Sequence, residues 1–267
     1  MTIFKTLSTA IGVGLLSLAI GMPTLADAKM LLDFKASKIR DTGDLFPASG
    51  GGFTNQKSTL SGNSKQIVTD SVLEQRVLRL TAGPRRAGTV SKESLVFQGF
   101  SAGEGRNLFV ALRLKMLGPS VRGVYVIDVE CTDCWPKNST LPNKSPGIRL
   151  KIDPQTGRLT IDRGKIGYPR EPLESPGGVP AFPVGKWVDM IWQIQLSGNS
   201  KVETSVIVDD VVLLQAKGFT LPQDSVFQRY GLKLEKFRYD YVEIGLTANE
   251  SPNQQSMLVS RVQVWLD

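Results

Sequence analysis

The chain contains no histidine, so tyrosine, lysine, aspartate and glutamate are the residues that could transfer protons. The absence of imidazole excludes Ser-His-Asp and Cys-His catalysis, His-ligated zinc and any histidine general base. Glycine-rich patches at 49–52 and 103–105 lack the spacing of a phosphate-binding loop. The sequence therefore predicts no nucleotide cofactor.

Two carboxylates share one face of a predicted strand over Gly123–Glu130. If Tyr125 and the apolar residues that alternate with it pack inward, Asp128 and Glu130 stand about 7 Å apart on the opposite face. Two such carboxylates can form ion pairs with arginine and lysine, serve as the acid and nucleophile of a glycosidase, or coordinate Ca²⁺. We favour pairing with cations. No spaced Asp/Asn loop specifies a calcium site, so a structural Ca²⁺ is possible but not predicted.

Basic residues exceed acidic ones, with 32 Lys+Arg against 25 Asp+Glu. In two predicted strands the excess cations alternate with apolar residues: Arg113 and Lys115 in one, Arg149 and Lys151 in the other. Paired cations on a sheet face suit a polyanion, and the alternative is a solvated strand face. Nucleic acid is not the predicted polyanion, because aromatic residues do not interleave with the basic ones.

Cys131 and Cys134 are the only cysteines. In an oxidising compartment their spacing predicts a small disulfide loop at the end of a strand. The alternative is a redox motif, but such motifs open a helix, and Trp135-Pro136 leads instead into a proline-rich stretch. Two cysteines without histidine are also too few soft ligands for a tetrahedral metal site.

The elements that must position these residues are strands. Residues 185–210 predict a strand, a turn at 197–200, a returning strand and an Asp209-Asp210 turn, which together form a β-meander. Alternating patterns at 239–246 and 257–266 predict two more strands. Glycine and proline punctuate most segments and helix signals are scarce, so we expect an all-β fold. Residues 168–183 are rich in proline and predict a long loop.

The first 28 residues predict a Sec-type signal peptide. Lys5 gives a positive start, residues 11–22 form a short apolar run, and Ala26-Asp27-Ala28 is a small-x-small cleavage site. We expect cleavage after Ala28 and a periplasmic or secreted mature chain, residues 29–267, that forms one domain without a membrane span. The alternative is an uncleaved anchor. The sequence does not indicate an oligomeric state.

Several segments together resemble a known family. They are the strand Leu31-Leu32-Asp33-Phe34, the strand at 77–81, the Gly185-Lys186-Trp187 stretch and the final strand to Trp265. The chain resembles the concanavalin A-like jelly-roll proteins, in particular secreted polysaccharide lyases of the alginate and glucuronan type. The resemblance spans most of the mature chain. It implies an antiparallel β-sandwich jelly roll of the lectin/glucanase type, with a sugar-binding groove on the concave sheet.

The family's catalytic motifs are incomplete in this chain. The lyases' Tyr-x-Lys-x-Gly strand corresponds to Tyr241–Gly245, with Glu243 for the lysine and Thr247 for a second tyrosine. Their Arg-x-Glu-Leu strand corresponds to residues 92–95, where Ser94 replaces the carboxylate. Their Gln-x-His pair has no counterpart. The laminarinase-like Glu-x-Asp-x-(x)-Glu pattern lacks its first glutamate at residues 126–130.

Three functions are compatible with these residues. The first is an anionic-polysaccharide-binding protein, whose ligand contacts are Arg113, Lys115, Arg149, Lys151, Asp128, Glu130 and Tyr239. The second is a lyase acting by β-elimination on a uronate polymer. In it Tyr241 transfers the proton, a neighbouring cation neutralises the uronate carboxylate, and nearby cations lower the pKa of the tyrosine. The third is an envelope structural or interaction protein.

Overall fold

The computed structural model describes residues 28–46, 52–118, 121–132, 134, 145–175, 177–223, 225, 228, 231 and 237–267. The predicted signal peptide, residues 1–28, lies outside this part of the chain apart from Ala28. None of the helices in the described residues has the length and apolarity needed to cross a membrane.

Fifteen strands in the described residues form two antiparallel sheets. Sheet A contains β1 (Lys29–Lys35), β3 (Ser64–Asp70), β4 (Gln75–Ala82), β6 (Asn107–Leu117), β11 (Val188–Gln195), β12 (Val202–Val208), β13 (Val211–Gly218) and β15 (Gln255–Leu266). Sheet B contains β2 (Asn55–Ser58), β5 (Ser91–Gly103), β7 (Val124–Glu130), β8 (Gly147–Ile152), β9 (Leu159–Arg163), β10 (Tyr168–Glu174) and β14 (Arg238–Asn249). Short 3-10 helices span Ala36–Lys38, Thr42–Leu45 and Gly164–Ile166.

The spatial order of the strands differs from their order in the chain. Sheet A runs β13-β12-β11-β6-β15-β4-β3, with β1 also paired to β15, and sheet B runs β10-β9-β8-β7-β14-β5-β2. Runs of sequence neighbours, such as β11 to β13 and β7 to β10, are joined to strands from distant parts of the sequence, such as β6 beside β15 and β14 beside β5. The two sheets pack face to face over one apolar cluster to which both contribute. This architecture confirms the predicted all-β sandwich.

The predicted β-meander is present as β11, β12 and β13. In β11, the residues Val188, Met190, Trp192 and Ile194 alternate into the core. The buried indole of Trp192 donates a hydrogen bond to Thr204 on β12 at 2.9 Å, which satisfies its only polar group. The turn between β12 and β13 places Asp209 and Asp210 at φ values of 47° and 64°. Two positive φ values are typical of the tight turn that matches the twist of a hairpin.

The prediction of a long loop over residues 168–183 is wrong for its first half. Tyr168–Glu174 forms β10, the edge strand of sheet B, which pairs with β9. Prolines are tolerated there because one side of an edge strand has no ladder partner. The described residues from 177 to 183 contain no strand or helix.

Candidate functional site

The outer face of sheet B carries a row of charged and tyrosine side chains. Strand alternation directs the apolar residues of β7, β8 and β14 into the core and the intervening polar residues outward. The register then sets the outward residues side by side: Glu130 opposite Tyr241, and Asp128 between Glu243 and Arg149. We call this set the charged row, and its members are Lys57, Lys92, Tyr241, Glu243, Asp128, Glu130, Lys165, Arg149, Lys151, Tyr125 and Asp162.

Five of the residues singled out from the sequence meet on this face: Asp128, Glu130, Arg149, Lys151 and Tyr241. Their strands are neighbours in sheet B, in the order β8, β7, β14. The two segments matched to lyase motifs also lie together, because Gly245 on β14 pairs with Ser94 on β5. The charged row thus brings together residues that are up to 186 positions apart in the chain, the distance between Lys57 and Glu243.

Glu243 is the centre of one half of the row. Its carboxylate is fully buried and lies 3.1 Å from the amines of both Lys57 and Lys92. It also accepts hydrogen bonds from Ser94 at 2.5 Å and from the Tyr241 hydroxyl at 2.8 Å. Burial alone would raise the pKa of Glu243, but the two lysines and the two hydroxyl donors outweigh it and hold the pKa below its ordinary value.

Asp128 and Glu130 form the second buried carboxylate group. Lys165 lies 3.5 Å from Asp128 and donates to Glu130, while Thr247 donates to Asp128 at 2.7 Å. Burial raises the pKa of Glu130, and the amine of Lys165 offsets only part of that rise. Burial would lower the pKa of Lys165, but the two carboxylates raise it above its ordinary value. Pairing with a cation, the favoured prediction from the sequence, is what the structure shows.

Lys165 is positioned by the 3-10 turn Gly164–Ile166. Ile166 is buried in the core cluster, which anchors the turn. At the start of the turn, the backbone N–H of Gly164 donates to Asp162 at 2.7 Å. Gly167 ends it at φ 96°, a conformation that glycine adopts without strain. The turn therefore directs the lysine amine over β7.

Tyr125 also lies on the outer face, so the prediction that it packs inward is wrong. The register of β7 shifts between Tyr125 and Ile127, and this irregularity reverses the alternation at that end of the strand. The Tyr125 hydroxyl donates to Asp162 at 3.0 Å. Arg149 and Lys151 lie over its ring, 4.1 and 4.8 Å from the centroid. These are cation–π distances.

The four predicted cations do not form one surface. Arg149 and Lys151 are on β8 of sheet B, whereas Arg113 and Lys115 are on β6 of sheet A. Both pairs alternate with core residues as predicted, so each pair points away from the core of the sandwich. The two pairs therefore face opposite sides of the molecule. Arg113 lies 3.6 Å from Asp189, and Lys115 lies 4.0 Å from Asp70.

Tyr239 lies in the core and not on the charged row. It is fully buried within the apolar cluster, and its hydroxyl donates to the backbone carbonyl of Thr220 at 2.6 Å. A register shift between Tyr239 and Tyr241 places the two tyrosines on opposite sides of β14. The assignment of Tyr239 to ligand contact is therefore corrected.

The pKa of Tyr241 is raised, contrary to the expectation that cations lower it. Burial is the largest cause, followed by the negative charge of Glu243 and the hydrogen bond to it. Lys57 lies 4.7 Å from the ring centroid, but its charge is directed at Glu243. Tyr241 is consequently held as a protonated phenol that donates to a carboxylate.

Sequence reasoning did not assign Lys57, Lys165 or Asp162 to the site. Lys57 lies on the short edge strand β2, and Lys165 lies in a turn. Neither place has an alternation pattern from which a shared face could be inferred. The glycines on either side of residues 165–166 were the one local signal of a tight turn there.

The predicted disulfide is confirmed between Cys131 and Cys134, directly after β7. Next to it, Thr132 donates through its backbone N–H and its hydroxyl to Asp240, each at 2.9 Å. This tie fixes the end of β7 against β14, beside Glu130 and Tyr241. Within the described ranges, no cluster of three or more His, Cys, Asp or Glu side chains could hold a metal ion.

Comparisons with known proteins identify the fold. No protein-family model matches the chain, and no curated protein does. Solved structures do match. An endo-beta-1,4-glucuronan lyase from the fungus Trichoderma reesei has a TM-score of 0.57 at 11% identity, over 81% of this chain and 92% of that one. The cellulose-induced protein Cip1 has a TM-score of 0.51 at 12% identity, over 76% and 86%.

A variant of the alginate lyase Aly36B, in complex with an alginate trisaccharide, also matches. Its TM-score is 0.51 at 11% identity, over 87% of this chain and 96% of that one. At such low identities the similarity concerns the backbone architecture. The chain thus has the jelly-roll fold of these carbohydrate-active proteins, and the resemblance in fold inferred from its sequence is confirmed.

Proposed function

We propose that the charged row binds an anionic, uronate-containing polysaccharide. One observation carries the proposal: over the central strands the carboxylates form the buried layer and the amines form the solvent-facing layer. The side chains of Lys57, Lys92 and Lys165 are 38%, 18% and 18% exposed. Those of Glu243 and Asp128 beneath them are 0% and 2% exposed. A ligand that approaches this face meets cations first.

The dimensions of the row suit a polymer. Adjacent strands lie about 4.8 Å apart, so the row from β2 across β5, β14 and β7 to β8 spans about 19 Å. That length accommodates several sugar units. The solved glucuronan lyase and the variant of the alginate lyase Aly36B in complex with an alginate trisaccharide share the backbone architecture. Their substrates support a uronate polymer as the ligand class.

The direct test is binding of the purified protein to alginate, glucuronan and pectate, with neutral laminarin as the comparison polymer. We expect binding to the uronates that weakens with added salt, because the contacts are between charges near the surface. The double variant Lys57→Gln/Lys92→Gln should bind about tenfold more weakly. Lys186→Gln is the matched control, since this lysine is 64% exposed and precedes β11 of sheet A.

Two outcomes would contradict the proposal. Equal binding to laminarin and alginate would show that charge is not recognised. Unchanged binding of the double variant would place the ligand elsewhere on the molecule. If no polymer binds at all, the structural or interaction role becomes the better explanation of the fold.

A lyase is the second candidate, favoured by the hydrogen bond between Tyr241 and Glu243. In β-elimination the proton beside the uronate carboxylate leaves, its electron pair forms the new double bond, and the glycosidic oxygen departs with a proton. Tyr241 can accept the first proton while its own phenolic proton passes to Glu243. Tyr241 can then donate a proton to the leaving oxygen. Lys92 and Lys57 would neutralise the uronate carboxylate.

Binding without turnover is nevertheless the better fit, because Tyr241 is almost fully buried and Lys57 lies over its ring. A substrate would have to displace that lysine. Incubation with each uronate polymer, followed by ultraviolet absorbance of unsaturated products, separates the two candidates. Absorbance growth that is lost in Tyr241→Phe would establish the lyase, and a flat trace with polymer bound would exclude it.

A further inference from the structure

A separate pocket opens at the end of the charged row, beside Arg149. Its volume is about 190 Å³. It is lined by residues of the loop after β4, by β8 and by the end of β14, and its charged members are Arg85, Arg86, Arg149 and Glu250. We call it the arginine pocket. Three arginines therefore line this small space, and two of them lie on the exposed loop after β4.

The loop that carries Arg85 and Arg86 is anchored to the fold. The backbone N–H of Arg85 donates to the carbonyl of Ser251 at 2.9 Å. The side-chain amide of Asn249 donates to the carbonyl of Gly83 at 2.7 Å, where the loop leaves β4. Within the loop, Thr89 donates to the carbonyl of Arg86 at 3.2 Å. These bonds hold the two arginines at the rim of the pocket.

Arginines outnumber carboxylates among the described residues that line the pocket. Among the described residues, neither Arg85 nor Arg86 has a carboxylate partner for its side chain. Arg149 donates through Nη2 to Asp162 at 2.6 Å, but its Nε is buried without a hydrogen-bond partner. Among the described residues of the lining, Glu250 is the one carboxylate, and it pairs with Lys151 at 2.8 Å. A buried donor without an acceptor costs free energy, and an anion in contact with Arg149 would offset that cost if it reached Nε.

We infer that the arginine pocket binds a compact oxyanion, the sulfate or carboxylate group of an acidic sugar. Guanidinium groups present planar, paired donors that match the oxygens of such groups better than lysine amines do. Arg149 belongs to both the pocket and the charged row, so a polymer on the row reaches the pocket with its next acidic group. In assigning the oxyanion to a sugar, the inference rests on the proposed function. The existence of an anion site does not.

Calorimetric titration of the whole protein with sodium sulfate and with sodium acetate, at constant ionic strength, tests the site without any polymer. We expect saturable binding of one of the two anions, weakened about tenfold in Arg85→Gln/Arg86→Gln. Arg261→Gln, an exposed arginine on β15 of sheet A, should leave it unchanged. Tighter binding of sulfate than of acetate assigns the pocket to sulfate esters, and tighter binding of acetate assigns it to uronates. No saturable binding of either anion overturns the inference.

The same variants on polysaccharide columns separate this inference from the proposed function. Full-strength retention of Arg85→Gln/Arg86→Gln on every anionic polymer would refute the pocket as a subsite and leave the charged row as the ligand site. Saturable binding of sulfate or acetate with no retention on any polymer would establish the anion site and refute the proposal that the protein binds a polysaccharide.

Discussion

Replacement of Lys165 by methionine tests whether the buried carboxylates depend on the cation above them. Among the described residues, Lys165 is the cation that contacts both Asp128 and Glu130. The side chains of these two carboxylates are 2% and 3% exposed. Removing one partner of a buried ion pair costs about 3 to 5 kcal/mol. Thr247 still donates to Asp128, and solvent reaches the lysine site. We therefore expect a loss of about 2 to 3 kcal/mol in the free energy of unfolding at pH 7.

The loss should depend on pH in a definite direction. The pKa of Glu130 in the folded protein lies above the ordinary value of 4.5. A carboxyl group with a raised folded-state pKa contributes stability at low pH, and this contribution is lost as the pH rises through that pKa. Without Lys165 the pKa of Glu130 rises further. The cost of Lys165→Met should therefore shrink as the pH falls from 7 toward 4.5.

Urea denaturation followed by tryptophan fluorescence measures this cost, since urea is uncharged and leaves the ion pairs unscreened. Lys186→Met is the matched control, because its ion pair with Asp209 is largely exposed and should cost less than about 1 kcal/mol. Adding Glu130→Gln to Lys165→Met should recover part of the loss at pH 7. Equal losses at pH 7 and pH 5, or a loss no larger than that of Lys186→Met, would refute the reasoning.

Three further changes have defined outcomes. Gly147→Ala places a methyl group 2.0 Å from a carbonyl oxygen of β7 and should cost about 2 kcal/mol or more in urea denaturation, whereas Gly62→Ala, with nothing within 4 Å, should be near neutral. Replacing Cys131 and Cys134 together by alanine should cost about 2 kcal/mol, the chain-entropy value for so short a loop, and a reducing agent should lower the stability of the wild type equally. Glu243→Gln should weaken retention on an alginate column, although it removes a negative charge. Unchanged or stronger retention would contradict that last prediction.

The sequence predicted elements and faces well, because both depend on local alternation. The alternation over Leu108–Leu114 and Ile148–Ile152 correctly separated core from outward residues. It could not assign Arg113 and Arg149 to different sheets, because sheet membership depends on strand order. Strand β6 pairs with β11 and β15, which are distant in sequence, whereas β8 pairs with its sequence neighbours β7 and β9 in the other sheet. The predicted basic surface was therefore divided between two faces of the sandwich.

Bulges account for the two misplaced tyrosines. Tyr239 and Tyr241 are two residues apart, which places them on one face of a regular strand. The register shift between them directs Tyr239 into the core, and a similar shift in β7 brings Tyr125 outward. Gly99, at φ 100°, lies in the β5 segment opposite the first shift, and a glycine inside a strand is a local signal of a bulge. The glycine does not show which strand pairs opposite it, since the shift is fixed by pairing with the neighbouring strands. Lys165 could not be placed for a related reason, as its position depends on how the 3-10 turn packs.

The prediction for Glu243 follows from how the charged row holds its cations. An ammonium group has three donors, and pairing with Glu243 leaves Lys57 and Lys92 with donors for a ligand. The buried carboxylate thus fixes both amines without exhausting them, so less side-chain entropy is lost when a ligand binds. A glutamine at this position keeps the shape but releases both lysines into solvent. Because the free amines repel each other and must be ordered again on binding, the affinity for a polyanion should fall even as the net positive charge of the face increases.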